Sequence, residues 1–381
     1  MSRPLKVALA IMYPRDPSRR SGGLQAVACD LVRGFKAMDG LELHVVHCTK
    51  EVDADRVVRD GPVFVHYLHA PRRRIVPNML TSVWKLRREF RRIRPDVVNA
   101  HMGHYAAAGI WAGFPTILTI HGIVWREAEI FRQTWFDRLR YRAAMLYDRF
   151  AVRRVQKVVA INPYVRREYQ AEDDPRWTEI PIPVSDDYFA VSDRTVPGRI
   201  LCAGTITELK NGMALLQALK RVRERVPEAH VHFAGRIDDR RYLRRMETYA
   251  AENGLSEAVV FRGLIPYAET LRAYSECAVL ALTSRQESSP RVILEAAAAG
   301  KPSVSVRVGS VADMIEDGVS GYVVEQDDIS TLADRLVCVL TDDAARKRMG
   351  DAAKRRAEER YSLARVVNQY MAVYRDVARG G

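Results

Sequence analysis

Two carboxylates, Glu287 and Glu295, stand eight positions apart in the run ESSPRVILEAAAAGKPSVSV. Glu287 closes a strand-and-loop signal, VLALTSRQE. Glu295 opens a small-residue run, EAAAAG, that reads as a short helix stopped by Gly300 and Pro302. A loop entering a helix N-terminus presents unpaired backbone N–H groups and the positive end of a dipole, which together attract an anion. Carboxylates on either side of it can accept hydrogen bonds from hydroxyls. One pocket of this kind holds a phosphate and a sugar together. The rival reading is a plain helix cap with two solvated charges.

Elements on both sides must position that run. In the first half, KVALAIMY, LELHVVHC, VVNAHM, TILTIHG and KVVAIN read as strands. GLQAVACDLVRGFKAM, SVWKLRREFRRI and LRYRAAMLYDRFAVRRV read as helices. The second half repeats the alternation with the strands GRILCAGTI, AHVHFAG, VVFRGL, CAVLALTS, PSVSVRV and YVVE. Alternating strands and helices predict α/β architecture with parallel sheets covered on both faces. The polar stretch VSDRTVPGR, residues 191–199, reads as a connector. The expectation is therefore two doubly wound domains facing across a cleft, residues 1–190 and 191–362, with ligands at strand C-termini. The amphipathic segment 363–381 is expected to pack back on the first domain.

Composition bounds the class. The chain has 381 residues, 48% hydrophobic and 28% charged, as in a soluble globular protein. Its five cysteines are scattered, with no C-x-x-C pair, which fits a reducing cytosol and neither a disulfide framework nor a zinc knuckle. The apolar core of the N-terminal segment is short for a signal peptide and reads as a first buried strand. The stretch between Asp96 and Arg126 carries no formal charge, yet Pro115, its glycines and three histidines favour strand, helix and strand over a membrane span. The net charge of +13 is uneven: residues 1–190 hold 31 Lys+Arg against 21 Asp+Glu, leaving 29 against 26 for the rest. Excess positive charge in one half points to an anionic surface or substrate.

The E-x7-E run resembles the signature of retaining glycosyltransferase family 4, which has the GT-B fold of two Rossmann-like domains. The resemblance extends over nearly the whole chain. SGGLQAVACDL resembles the family's glycine loop, ILTIHG its strand-His-Gly motif and AGTITELKNG its phosphate loop. VHFAGR and FRGLIPYAETLRAYSECAVLALTS follow in the expected order. The resemblance implies that Glu287 holds donor-sugar hydroxyls and Glu295 the ribose hydroxyls. It places the amides of Ser288, Ser289, Arg291 and Val292 beside sugar and phosphates, and Lys210 against the diphosphate. Gly22 and Gly23 would let the first domain's backbone approach that diphosphate, since glycine has no Cβ. His121 would face the reacting sugar, and His101 and His104 would contact the acceptor. Each has a structural rival: a turn for Lys210 and the glycines, a core histidine for His121. His230 and His232 alternate on a strand, and no metal-ligating set accompanies them.

The departures from the pattern matter. Many relatives have an arginine where this chain has Thr205, so a second cation must come from Arg285 or Arg291. The usual aromatic of the E-x7-E loop is Ser289 here, and Ile182-Pro183 replaces the Asn-Gly that ends the family's first domain. The implied reaction moves a hexosyl unit from a nucleoside diphosphate sugar, UDP ahead of GDP, to an acceptor hydroxyl. It would proceed with retention and without a metal or other cofactor, a helix dipole and cations stabilising the leaving group.

A basic face remains. Arg72, Arg73 and Arg74 precede a helix with Lys85, Arg87, Arg88, Arg91, Arg92 and Arg94 opposite Val83, Leu86, Phe90 and Ile93. WREAEIFRQTWFDRLRYR then mixes arginines with aromatics. Docking on anionic lipid fits this pattern, as does a solvated helix face whose apolar stripe packs on its own domain. No nucleic-acid recognition module is present. The expected acceptor is a cell-surface glycan or glycolipid, with the protein cytoplasmic and peripheral on the inner face of the plasma membrane. A small hydrophilic acceptor, a nucleotide-sugar epimerase or hydrolase, and a non-catalytic membrane scaffold are the alternatives.

Overall fold

The computed structural model describes residues 3–17, 22–70, 76–131 and 134–380. The chain forms two compact units, residues 1–183 with 363–381, and residues 184–362. Arg72, Arg73 and Arg74 lie outside the described residues.

The first unit contains, in order, β1 (Leu5–Ala10), α1 (Gly23–Phe35), β2 (Leu41–Thr49), β3 (Arg56–Asp60), β4 (Val63–His69), α2 (Val76–Ile93) and β5 (Val97–Ala100). It continues with α3 (Gly103–Ala112), β6 (Thr116–Ile120), α4 (Val124–Phe131), α5 (Trp135–Arg154), β7 (Lys157–Ala160), α6 (Pro163–Glu168) and β8 (Trp177–Glu179). The sheet order is β3-β4-β2-β1-β5-β6-β7-β8, parallel except for the β3–β4 hairpin. The central strands are mostly apolar because helices bury both faces: β5 and β6 are buried at every residue, and their few polar side chains, such as Asn99 and Thr119, are paired. The uncharged stretch after Asp96 becomes β5, α3 and β6, and no helix among the described residues is long and apolar enough to cross a membrane.

The second unit contains α7 (Asp186–Phe189), β9 (Arg199–Ala203), α8 (Gly212–Arg223), β10 (His230–Ala234), α9 (Arg240–Glu252), β11 (Val259–Gly263), α10 (Tyr267–Glu276) and β12 (Val279–Leu282). Then follow α11 (Arg291–Ala298), β13 (Ser303–Val306), α12 (Val311–Met314), β14 (Gly321–Val324), α13 (Ile329–Thr341) and α14 (Asp343–Tyr361). Its sheet, β11-β10-β9-β12-β13-β14, is wholly parallel. Residues 191–199 are hydrogen-bonded into this unit rather than spanning between units. Buried Lys301 donates from Nζ to Asp193 and Thr195 at 2.6 Å each, and the Arg194 and Val196 amides donate to Ser275 and Glu276.

The last helix, α15 (Leu363–Ala378), returns to the first unit. It packs on α1, with Phe35 against Tyr370 and Tyr374 at ring distances of 6.2 and 5.7 Å. The Asn99 amide donates to the Tyr374 hydroxyl at 2.7 Å and accepts from Thr119 at 2.9 Å, tying α15 to β5 and β6.

Three sequence expectations change. The β3–β4 hairpin and β8 were not among the expected strands. The Asp60-Gly61 turn, with Gly61 at φ +61°, is the local signal for that hairpin. Helix α11 begins at Arg291, so Glu295 lies a full turn inside the helix instead of opening it. The apolar stripe of α2, Val83, Leu86, Phe90 and Ile93, is buried in its own unit and is closed to lipid.

Candidate active site

In each sheet the chain runs outward from a central strand in one direction and then restarts on its other side. That reversal falls between β9 and β12 in the second unit and between β1 and β5 in the first. Loops leaving two such strands diverge to opposite faces and open a crevice at the strand C-termini, where ligands bind.

In the second unit the two diverging loops are residues 204–211 and 283–290. The first turns at Gly204 (φ +150°), passes Thr205 and forms a short 3-10 turn over Glu208–Lys210, capped by the Thr207 hydroxyl. Asn211, left-handed at φ 48°, then turns the chain into α8. The second loop clips onto the first. The Thr283 hydroxyl donates to the Asn211 carbonyl at 2.9 Å and the Arg285 amide to the Leu209 carbonyl at 2.8 Å. A Cβ on Gly235 would stand 1.9 Å from the Gly204 carbonyl oxygen, so only glycine lets β10 close against the phosphate-loop candidate.

Folding brings the side chains of Lys210 and Glu287 together, with Nζ 2.5 Å from Oε1. The lysine is 30% exposed and the glutamate 12%, so water reaches the pair from one side. The Glu287 backbone is seated by Gly309 (φ +51°), where a Cβ would meet the Glu287 carbonyl oxygen at 1.9 Å. Beyond Ser288 and Ser289 the chain enters α11 through Pro290, with no side-chain cap and no acidic residue in the first turn. The Ser284 and Ser289 hydroxyls are buried without a hydrogen-bond partner among the described residues, a cost that an oxygen-rich ligand would remove. Ser284 lines a pocket of about 320 Å³, with Thr205, Thr207 and Lys210 on its polar side and Phe233, Tyr242 and Met246 on its apolar side.

Glu295 is held from within. Its Oε2 accepts from the buried Tyr274 hydroxyl at 2.9 Å and its Oε1 from Arg291 Nε at 3.1 Å. Arg291 is thereby committed to Glu295, while the Arg285 guanidinium is half exposed and 3.7 Å from Asp327. Val292, in the first turn of α11, contributes backbone to the same end of the helix, and its carbonyl accepts from Tyr274 at 3.4 Å.

In the first unit, Gly22 and Gly23 stand at the N-terminus of α1, again with no side-chain cap and no acidic first turn. A Cβ on Gly22 would meet nothing within 4 Å among the described residues. After β5 and β6, His101 Nδ1 lies 2.6 Å from His121 Nε2, with the rings stacked at 4.9 Å. His101 Nε2 is buried without a partner among the described residues, which favours the tautomer with the proton on Nδ1, donated to His121. Burial holds His101 well below the usual histidine range and pushes His121 and His104 down to about 4, so all three are neutral at pH 7. His104 packs against Tyr105 and Tyr147 and takes no part in that pair.

The sequence reading passed over several residues of this arrangement. Ser284, Thr283, Tyr274 and Gly309 have ordinary local contexts, and nothing in their neighbourhoods signals a role. Arg236, at the end of VHFAGR, is tied by its backbone to the phosphate-loop candidate: its carbonyl accepts from the Ile206 amide at 2.9 Å, and its half-exposed guanidinium pairs with Asp238.

Comparison with known proteins follows this division. A family model described as "Glycosyl transferases group 1" matches residues 187–356, and one described as "Glycosyltransferase Family 4" matches residues 21–187. The chain is 33% identical over 125 residues to N-acetyl-alpha-D-glucosaminyl L-malate synthase of Bacillus anthracis, covering 33% of this chain and 32% of that one. It spans less than half the length of the first curated relatives it matches. Its structure is similar to sucrose-phosphate synthase from Thermosynechococcus elongatus, with a TM-score of 0.80 at 17% identity over 99% of this chain and 100% of that one. HepE of Anabaena, solved with UDP and glucose, gives 0.74 at 17% identity over 98% and 100%. At these identities the likeness is one of fold.

Proposed function

The chain belongs to the group 1 glycosyltransferases, with the GT-B fold, and on that premise we propose that it transfers a hexosyl unit from a nucleoside diphosphate sugar to an acceptor hydroxyl with retention of configuration. The observation that carries this reading is the Lys210–Glu287 pair beside the uncapped N-terminus of α11. When the anomeric C–O bond breaks, its electron pair goes to a β-phosphate oxygen. Lys210 and the α11 dipole stabilise the charge that develops there, the part a divalent cation plays in other sites. Glu287 grips the sugar hydroxyls, and Glu295, oriented by Tyr274 and Arg291, takes the ribose. The acceptor oxygen attacks from the face the phosphate leaves, and its proton passes to the departing phosphate. His121, neutral at pH 7, serves this step as a hydrogen-bonding group rather than as a cation.

A UDP-sugar is the favoured donor ahead of a GDP-sugar, supported by the presence of UDP with glucose in the similar HepE structure. The favoured acceptor is a glycolipid or growing cell-surface polysaccharide, reached from the cytoplasm at the inner face of the plasma membrane. An anionic membrane surface is the partner this acceptor requires. The test is thermal-shift screening against UDP, GDP and their sugars, since a ligand of the folded state raises the melting temperature. Turnover is then followed with and without acceptor and with a chelator, and the anomeric configuration of the product is read by NMR. Donor turnover without acceptor would make the protein an epimerase or hydrolase. Failure of every nucleotide to bind would make it a scaffold, and inversion or chelator sensitivity would overturn the mechanism.

A further inference from the structure

Helix α5 turns an unusual face outward. Trp135, Leu139 and Leu146 are all exposed, Trp135 at 65% and Leu146 at 67%. Arg138, Arg142, Arg149 and Arg153 are exposed as well. At 3.6 residues per turn these positions fall within an arc of about 100°, so one stripe along the helix alternates large apolar groups with guanidinium groups. The two carboxylates of the helix project from the opposite side. Asp148 is buried against Tyr169, and Asp137 closes the Thr134 capping box. Glu127 of neighbouring α4 acts electrostatically on Arg140, which also lies off the stripe.

The surface continues onto adjoining helices. Helix α3 packs between α2 and α5. From α3, exposed Trp111 lies against Phe150 of α5 at 5.3 Å. From α2, Leu80 and Trp84 are exposed, with the Arg88 guanidinium 6.0 Å from the Trp84 ring. Six of the thirteen large hydrophobic residues exposed among the described residues lie on these three helices, too many in one place for scattered surface apolarity.

We propose that the outward stripe of α5, flanked by Trp84 and Trp111, is a docking surface for an anionic phospholipid bilayer. Its charge is complementary to that surface, and its leucines and indoles fit the headgroup–acyl boundary beneath the phosphates. A twofold contact between two copies would set the four arginines against their own equivalents. A nucleic-acid backbone would satisfy the arginines and leave Leu139 and Leu146 without an apolar partner. This inference rests on the membrane-peripheral part of the proposed function. Vesicle binding needs neither donor nor acceptor, so its failure would remove the docking surface and leave the transferase reading standing.

The experiment is cosedimentation of the full chain with phosphatidylglycerol/phosphatidylcholine vesicles at low ionic strength, with pure phosphatidylcholine as the comparison. Binding to the anionic vesicles, weakened by salt and accompanied by a blue shift of tryptophan emission, is expected. The double variant Leu139→Glu/Leu146→Glu is expected to lose roughly tenfold or more in partitioning with an unchanged melting temperature. The charge-reversal variant Arg142→Glu/Arg149→Glu is expected to lose binding independently. No binding at low ionic strength would overturn the proposal, as would equal binding to neutral vesicles or undiminished binding by the two folded variants. So would tighter binding to duplex RNA or DNA through the same arginines, or a stable dimer that buries the stripe without lipid.

Discussion

Lys210 Nζ and Glu287 Oε1 lie 2.5 Å apart although 77 residues of chain separate them. The pair joins the turn after β9 to the loop after β12, on the two sides of the sheet's reversal point. Under the proposed function the cation meets the diphosphate and the carboxylate the sugar hydroxyls.

Lys210→Ala removes the cation that would meet the developing phosphate charge, and transfer is expected to fall by about 10²–10³. Glu287→Ala removes the sugar grip and is expected to fall comparably. The pair is partly solvated, so both variants should remain folded. Near-wild-type turnover in either purified, folded variant would sink the assignment.

Gly309→Ala places a Cβ 1.9 Å from the Glu287 carbonyl oxygen at a left-handed backbone position. Relief requires the Glu287 loop to move, at a cost of about 1–3 kcal/mol in stability. Calorimetric titration with UDP and UDP-sugar should show weaker sugar binding while nucleotide binding is less affected. Unchanged sugar affinity in the folded variant would show that Gly309 does not seat Glu287.

Tyr274→Phe deletes the donor to Glu295 Oε2 in a buried setting. The expected loss is about 1–2 kcal/mol of stability, since an acceptor is left without its partner. Nucleotide affinity should weaken with it, because Glu295 loses one of its two orienting contacts. A melting curve and a UDP titration that both match wild type would remove Tyr274 from the site.

Acid should destabilise the first unit. A histidine near 6.5 when unfolded but near 4 when folded is protonated first in the unfolded chain. Stability is therefore complete above about pH 6.5 and declines toward 4, by at most ~1.4 kcal/mol per pH unit for each such group. His101, His121 and His104 act together, and the lowered His44 and His47 add to them. Asp148, raised to about 6 by burial, and Glu127, also raised by burial, oppose the trend, because a folded carboxyl of this kind binds the proton more readily. Five histidines outweigh two carboxyls, so the melting temperature should fall between pH 7 and 5. A flat profile over that range would contradict the burial of these imidazoles.

Much of this protein was legible in local patterns. Largely apolar runs announced all six strands of the second sheet, most clearly the central β12, whose four residues are all apolar and buried. The glycine and E-x7-E loops were legible too, since tight turns and helix starts have short-range signatures. Helix α5 was legible as a helix whose first half mixes arginines with aromatics, a pattern that fits lipid docking or a solvated face equally. Which side faces the core depends on α3 and α4, so the outward position of Leu139 and Leu146 was not legible.

The sequence by itself determined the succession of strands and helices, the loops that end them and the uneven positive charge, because propensity, periodicity and turn chemistry act over a few residues. Only the tertiary structure decided that Lys210 meets Glu287, that Glu295 turns inward to Tyr274 and Arg291, and that His101 shares a hydrogen bond with His121. Apart from the i,i+4 contact of Arg291 with Glu295 inside α11, each pairing joins segments that meet only after strands distant in the chain take neighbouring places in a sheet. That order is settled by the burial of whole faces, which no local run of residues encodes.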